Sequence, residues 1–185
     1  QPADIALSMQ LIVEKGLDNH SRSAVAQSNI RQYYDYIPCG RLARTLIDYG
    51  VAPEVAVAMI RLHTCPKIYF GVGKARAIIG KRSRGVSTGT LSAALLARVP
   101  VQQVASMRAH VWRRMGFDTS DGDAVSFAAW ADNLFSAASD GDTAVAILED
   151  AAFHLQHTWG LLINDESKMC MIARGGPGNR QAIID

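Results

Sequence analysis

The stretch Phe127-Ala128-Ala129-Trp130-Ala131-Asp132-Asn133-Leu134-Phe135 constrains this chain more than any other. Apolar residues run into a Trp-Ala-Asp-Asn tetrapeptide and apolar residues run out again. That pattern predicts a buried β-hairpin with an acid at its tip. A carboxylate there loses hydration unless something positive meets it. An ordinary tight turn also favours Asp and Asn, whose side chains bond nearby backbone. The flanking segments therefore decide between a plain turn and a site.

The chain has 185 residues, 49% of them apolar, enough for one globular domain with a sizeable core. Lys plus Arg total 19 and Asp plus Glu 17, so net charge says little about partners. Cys39, Cys65 and Cys170 form no CxxC pair. An odd, sparse count argues for reduced thiols inside a cell, nuclear or cytoplasmic, and against a disulfide scaffold. No apolar run has the length of a bilayer span and no signal peptide is visible, so no membrane partner is expected. The chain begins at Gln1 and reads as a piece of a longer polypeptide.

Ile5, Met9, Ile12 and Val13 fall at helical spacing and predict a helix over 3–15, ending near Gly16. A polar loop at 18–23 leads to a short strand at 24–30. Pro-Cys-Gly at 38–40 opens a helix that Gly50 stops, and a second helix covers 53–63. Two strands, 67–72 and 75–79, flank Gly73-Lys74. Residues 84–90 form a glycine-containing loop before an apolar helix at 91–99. Pro100 marks a break, and a helix follows over 101–115. A polar turn at 118–123 precedes the acid-tipped hairpin at 124–137. A helix runs from about 140 to 158 with Ile147, Leu148, Ala151 and Leu155 in register. Residues 159–164 and 168–173 read as antiparallel mates, and Gly175 to Gly178 as a linker or frayed end. This order is α+β, an antiparallel sheet with helices packed on one face.

Three groups carry candidate chemistry. Lys67, Lys74, Arg76, Lys81, Arg82 and Arg84 fall within 18 residues. They form either a solvated hairpin or a surface for nucleic-acid phosphates. Backbone donors in the 84–90 loop, at a helix start, suit a phosphate weakly. His154 and His157 sit three apart but lack a Glu-x-x-His or Cys partner, so metal ligation is not expected.

Four blocks, in order, resemble the palm of reverse transcriptases of the non-LTR retrotransposon type, in a divergent form. Asn29-Ile30-Arg31-Gln32-Tyr33-Tyr34-Asp35 is similar to the first palm motif, Asp-Leu-x-x-x-aromatic-Asp. Gly85-Val86-Ser87-Thr88-Gly89-Thr90-Leu91-Ser92 resembles the Gly-Val-x-Gln-Gly-x-x-x-Ser block. Trp130-Ala131-Asp132-Asn133 resembles the Tyr-Ala-Asp-Asp box. Trp159-Gly160-Leu161-Leu162-Ile163-Asn164 through Lys168 resembles the Trp-Gly-Leu-x-x-Asn…Lys block. The resemblance implies a palm with part of the fingers over residues 1–173 and a linker or tail at 174–185.

It also implies RNA-directed DNA polymerisation: an RNA template, a DNA primer and dNTP, within a larger retroelement polyprotein. Two divalent metals, Mg²⁺ or Mn²⁺, would be held by several carboxylates. By position those ligands are Asn29, Asp132 and Asn133. Two of the three acids are therefore amides, which implies impaired catalysis. Tyr34 sits where the family places the aromatic that selects deoxynucleotides; it reads equally as a packing tyrosine. Thr88, in place of the usual Gln, and Gly89 would lie along template and incoming nucleotide, and the block runs one residue short before Ser92. Lys168 would approach the triphosphate and help protonate pyrophosphate, or is a solvated lysine. Lys74, Arg76, Lys81, Arg82 and Arg84 would meet nucleic acid. Two further readings stay open: an inactive retroelement fragment that only binds nucleic acid, and an unrelated α+β interaction domain. The family reading requires that Asn29 and Asp132 come together.

Overall fold

The structure is a computed structural model that describes residues 2–18, 21–119, 124–174 and 181–184. Helix α1 (Pro2–Asp18) buries Met9, Ile12 and Val13, the stripe its period predicted. Strand β1 (Arg22–Ile30) follows and alternates faces. Ala24, Ala26 and Ile30 join the main core, whereas Val25 joins the α1 cluster. One helical turn, α2 (Tyr33–Tyr36), is entered through Gln32 at a φ of 46°. Pro38 caps α3 (Cys39–Asp48), and Pro53 opens α4 (Pro53–Thr64), where its missing N–H is not needed.

Strands β2 (Lys67–Val72) and β3 (Ala75–Lys81) form their own two-stranded sheet. The hydroxyl of Thr90 accepts the Ala93 N–H at 3.2 Å and caps α5 (Leu91–Leu96). Helix α6 (Arg98–Met115) comes next, then the short pair β4 (Phe117–Asp118) and β5 (Ala124–Val125). The acid-tipped hairpin is β6 (Phe127–Trp130) and β7 (Asn133–Ala138). Asp140 caps α7 (Gly141–Trp159), and Gly160, at a φ of 66°, ends it. Strands β8 (Ile163–Arg174) and β9 (Gln181–Ile184) finish the chain.

The main sheet is antiparallel throughout, in the order β6-β7-β1-β8-β9. Strand β1 lies at its centre, so both of its edges are paired. Buried residues of α5, α6 and α7 cover one face through Leu96, Val104, Trp112, Ile147 and Leu155. Helix α1 covers part of the other face with Phe117 and Ala137. This is the α+β class the element order predicts, but helices lie on both faces where one was expected. Val25 and its register partner Ala137 turn apolar side chains to the side that α1 covers.

Four local expectations change. The expected strand pair at 159–173 is the single strand β8. Between the pairs Gln27–Met169 and Asn29–Asn164, two steps along β1 match five along β8. The polar Asp165-Glu166-Ser167 segment is thus a bulge, where a turn was expected. Pro100 does not break a helix; it lies in the first turn of α6, which needs no N–H from it, and the break falls at Ala97. Strand β1 starts at Arg22, inside the expected loop, because Ser23 pairs with Ala173; Asn19 and His20 lie outside the described residues. The expected linker at 175–178 and most of the turn at 118–123 also lie outside them, while Gln181–Ile184 pair with the end of β8.

Candidate functional site

Antiparallel pairing of β1 with β7 makes Asn29 and Asn133 register partners. The two-residue turn Ala131-Asp132 then places the Asp132 carboxylate beside them. Asn29 Nδ2 donates to Asp132 Oδ2 at 2.8 Å and to Asn133 Oδ1 at 3.4 Å. The Ile30 N–H donates to the Asp132 carbonyl at 2.7 Å, and Arg31 N–H to Leu162 at 2.8 Å. Asn29 N–H donates to Ser167 Oγ at 2.8 Å, and the Ser167 hydroxyl donates to the Asn164 carbonyl at 2.6 Å. Ser167 was not singled out from the sequence; only the bulge register reveals it. The first and third motif blocks therefore meet, as the family reading requires.

Ala131 adopts a φ of 51°. Two-residue hairpin turns with a positive first φ normally take Gly there. A non-glycine residue so held costs roughly 1–3 kcal/mol, and such strain gathers at functional turns. Ala131 and Trp130 also line a cleft of about 560 Å³ between α6 and β6, with Tyr34, Arg98, Gln102 and Phe127. Tyr34 thus lines the cleft and also packs, half-buried, against the main core. A shallower apolar groove along α4, past Val57 and Leu62, holds none of the motif residues.

The second block docks by main chain. Gly85 N–H donates to the Ile37 carbonyl at 2.8 Å and Val86 N–H to the Tyr34 carbonyl at 2.7 Å. Thr88 and Gly89 make an exposed turn ahead of α5, whose Ala94 lines the cleft. His63, a residue with no motif signal, braces this loop from beneath. Its Nδ1 accepts the Ser87 N–H at 3.0 Å, and Nε2 lies 3.2 Å from Ser92 Oγ. Because Nδ1 accepts, the neutral ring carries its proton on Nε2 and donates it to Ser92. Burial, and secondly the Arg82 charge, hold the imidazole below its ordinary value.

The cationic residues divide. Arg82 pairs with Asp35 at 3.0 Å and bonds the Val86 carbonyl. The Arg84 guanidinium lies 4.2 Å from the centre of the Tyr36 ring. Both contacts brace the fold. Lys74, Arg76 and Lys81 are exposed on the β2–β3 hairpin. Lys168 follows Ser167, which bonds the Asn29 N–H. It lines a small cavity against α7 with Ala26 and Ser28, and it pairs with Asp165 at 2.9 Å. The Asp165 hydrogen bond pushes its ammonium above the ordinary value. His154 faces Asp150, which Arg108 and Trp112 already engage.

The donor set does not suit a two-metal centre. One carboxylate is present, and the amide nitrogen of Asn29 points at it. Among the described residues no cluster of three or more His, Cys, Asp or Glu could hold a metal. Among the same residues no helix is long and apolar enough to cross a membrane.

No protein-family model matches the chain, and no curated protein matches it. Solved structures do. An apo telomerase from Candida tropicalis, truncated from its C-terminal domain, matches with a TM-score of 0.71 at 11% identity, over 100% of this chain and 40% of that one. A telomerase from Candida tropicalis in complex with a TWJ fragment of telomeric RNA gives 0.66 at 10% identity, over 94% and 29%. The corresponding complex from Candida albicans gives 0.57 at 9%, over 92% and 30%. The chain thus spans well under half the length of each. These neighbours are telomerases, and at such identity the likeness is one of fold, without the finer non-LTR assignment. The chain has a reverse-transcriptase-like fold.

Proposed function

We propose that the chain is the palm of a reverse-transcriptase-like polymerase that holds an RNA template and DNA primer but transfers nucleotides poorly. The motif spelling, above all Trp159-Gly160-Leu161-Leu162-Ile163-Asn164, favours the non-LTR lineage within that fold. One observation carries the impairment: Asn29 Nδ2 sits 2.8 Å from Asp132 Oδ2, where a metal-binding acid is expected. The amide supplies Asp132 with the positive partner that a cation would otherwise supply. An amide oxygen turned toward a metal would still bring no charge, and Mg²⁺ favours several charged oxygens.

The remaining roles follow from position. Tyr34 and Trp130 wall the cleft where primer terminus and dNTP would lie, and Arg98 offers it a cation. Thr88 and Gly89 are exposed for a template strand.

The test is primer extension on an RNA template with Mg²⁺ or Mn²⁺, with template binding measured on the same samples. The native chain is expected to bind template and to extend weakly or not at all. The double variant Asn29→Asp with Asn133→Asp is expected to bind Mg²⁺ at least tenfold more tightly by calorimetry, about 1.4 kcal/mol. Robust extension by the native chain that survives Asp132→Ala would sink this reading. So would a double variant with no gain in Mg²⁺ affinity.

A further inference from the structure

We propose that the β2–β3 hairpin is an arm for single-stranded RNA, stacking a base on Phe70 while Lys67, Lys74 and Lys81 meet its phosphates. This deepens the template-holding reading above and rests on it. No Asp or Glu occurs between Glu54 and Asp118, and that span carries eleven of the 19 Lys and Arg residues. The hairpin lies in its middle.

Its two strands pair only with each other, so the arm stands apart from the main sheet. Phe70 is 60% exposed and Ile78 56% exposed. The register partner of Phe70 is Ala77, too small to cover an aromatic ring. Lys67 and Lys81 are register partners at the base, and Lys74 sits in the turn at the tip. Like charges directly opposite destabilise a strand pair, and a two-stranded hairpin is marginal in water. A phosphate between Lys67 and Lys81 removes that repulsion. None of these lysines has a carboxylate partner among the described residues.

Strand alternation turns Phe70 to the face opposite Lys67 and Lys81. A nucleic-acid strand with a base stacked on Phe70 therefore has Lys74 ahead of it at the tip and crosses the narrow two-stranded ribbon at its base to reach Lys67 and Lys81. The strand must be single, because a base has to leave its stack to lie on Phe70. The base of the arm is fixed near the site: Arg82, directly after β3, pairs with Asp35, and Asp35 adjoins Tyr34 at the cleft.

The experiment follows fluorescence anisotropy of a labelled single-stranded RNA, and of the same sequence as a duplex, added to the full chain at low and physiological salt. Phe70→Ala is expected to weaken single-strand binding roughly tenfold, with Phe70→Trp restoring it. Replacing Lys67, Lys74 and Lys81 by Gln should lower the log–log salt slope by about two. Melting curves of each variant confirm folding, which the exposed position of Phe70 favours. Unchanged RNA affinity in these variants, with native binding intact, overturns the arm and leaves the palm reading standing. An equal loss on duplex, or restoration by Phe70→Leu, overturns stacking. Altered self-association with unaltered RNA affinity reassigns the hairpin to protein docking. A native chain that binds no RNA at all overturns the arm and the template-holding reading together.

Discussion

Gly85 shows how much one position can decide. It adopts a φ of +83°, and a Cβ there would sit 2.7 Å from the Tyr34 and Asp35 carbonyl oxygens. Both atoms are backbone, so neither can step aside. Gly85→Ala is expected to destabilise the chain by roughly 2–4 kcal/mol, strain and overlap together. A thermal melt checks this, and a shift within error would contradict the close docking of the loop on α2. Asn29 illustrates the reverse case. Its amide nitrogen donates to Asp132 at a position where a carboxylate would repel it. Motif order placed Asn29, Asp132 and Asn133 together from the sequence. The direction of the amide depends on packing that no motif encodes, as does the strained φ of Ala131.

Among the elements, helices α3, α4 and α7 were legible because their stops are local. Gly50 and Gly160 adopt positive φ, and Pro53 and Asp140 sit at starts. Strand β8 was not, because a polar Asp165-Glu166-Ser167 segment reads alike as turn or bulge. Only the partner strand, through Ser167 and Asn29, decides between them. The brace formed by His63 was equally silent: a lone histidine at the end of α4 carries no signal until the 84–92 loop folds over it. It gives the loop a pH dependence. The folded imidazole is held below its ordinary value of 6.5, chiefly by burial. At higher pH both folded and unfolded chains are neutral there. As pH falls through that value the unfolded chain takes a proton that the folded ring refuses, so stability declines. The slope is at most about 1.4 kcal/mol per pH unit. Denaturant melts across that window should show the decline in the native chain and a flatter profile in His63→Gln. Equal profiles would remove His63 from the account.

Across the whole molecule, the α+β class followed from element order, but the pairing order β6-β7-β1-β8-β9 did not, since hydrophobic alternation does not name partners. Helices α6 and α7 are bolted together at Asp150. Its carboxylate accepts two bonds from Arg108, at 2.8 and 2.9 Å, and one from Trp112 at 2.7 Å. Burial alone would raise its pKa; these donors outweigh burial and hold it below the ordinary value. Asp150→Asn keeps the shape but loses the charge that three donors share. It is expected to cost about 1–3 kcal/mol, a fall in Tm of about 3–10 °C for a chain of this size. An unchanged Tm would show that the helices are held by Trp112 and Leu148 packing alone.

The blocks of this site are clasped through their backbones. Val86 reaches the Tyr34 carbonyl, Gly85 that of Ile37, Ile30 that of Asp132, and Arg31 that of Leu162. Such clasps do not consult the side chains at the joined positions. Replacement of those side chains leaves the joints closed. A scaffold jointed in this way holds one shape under very different sequences, as its likeness to a structure at 11% identity illustrates.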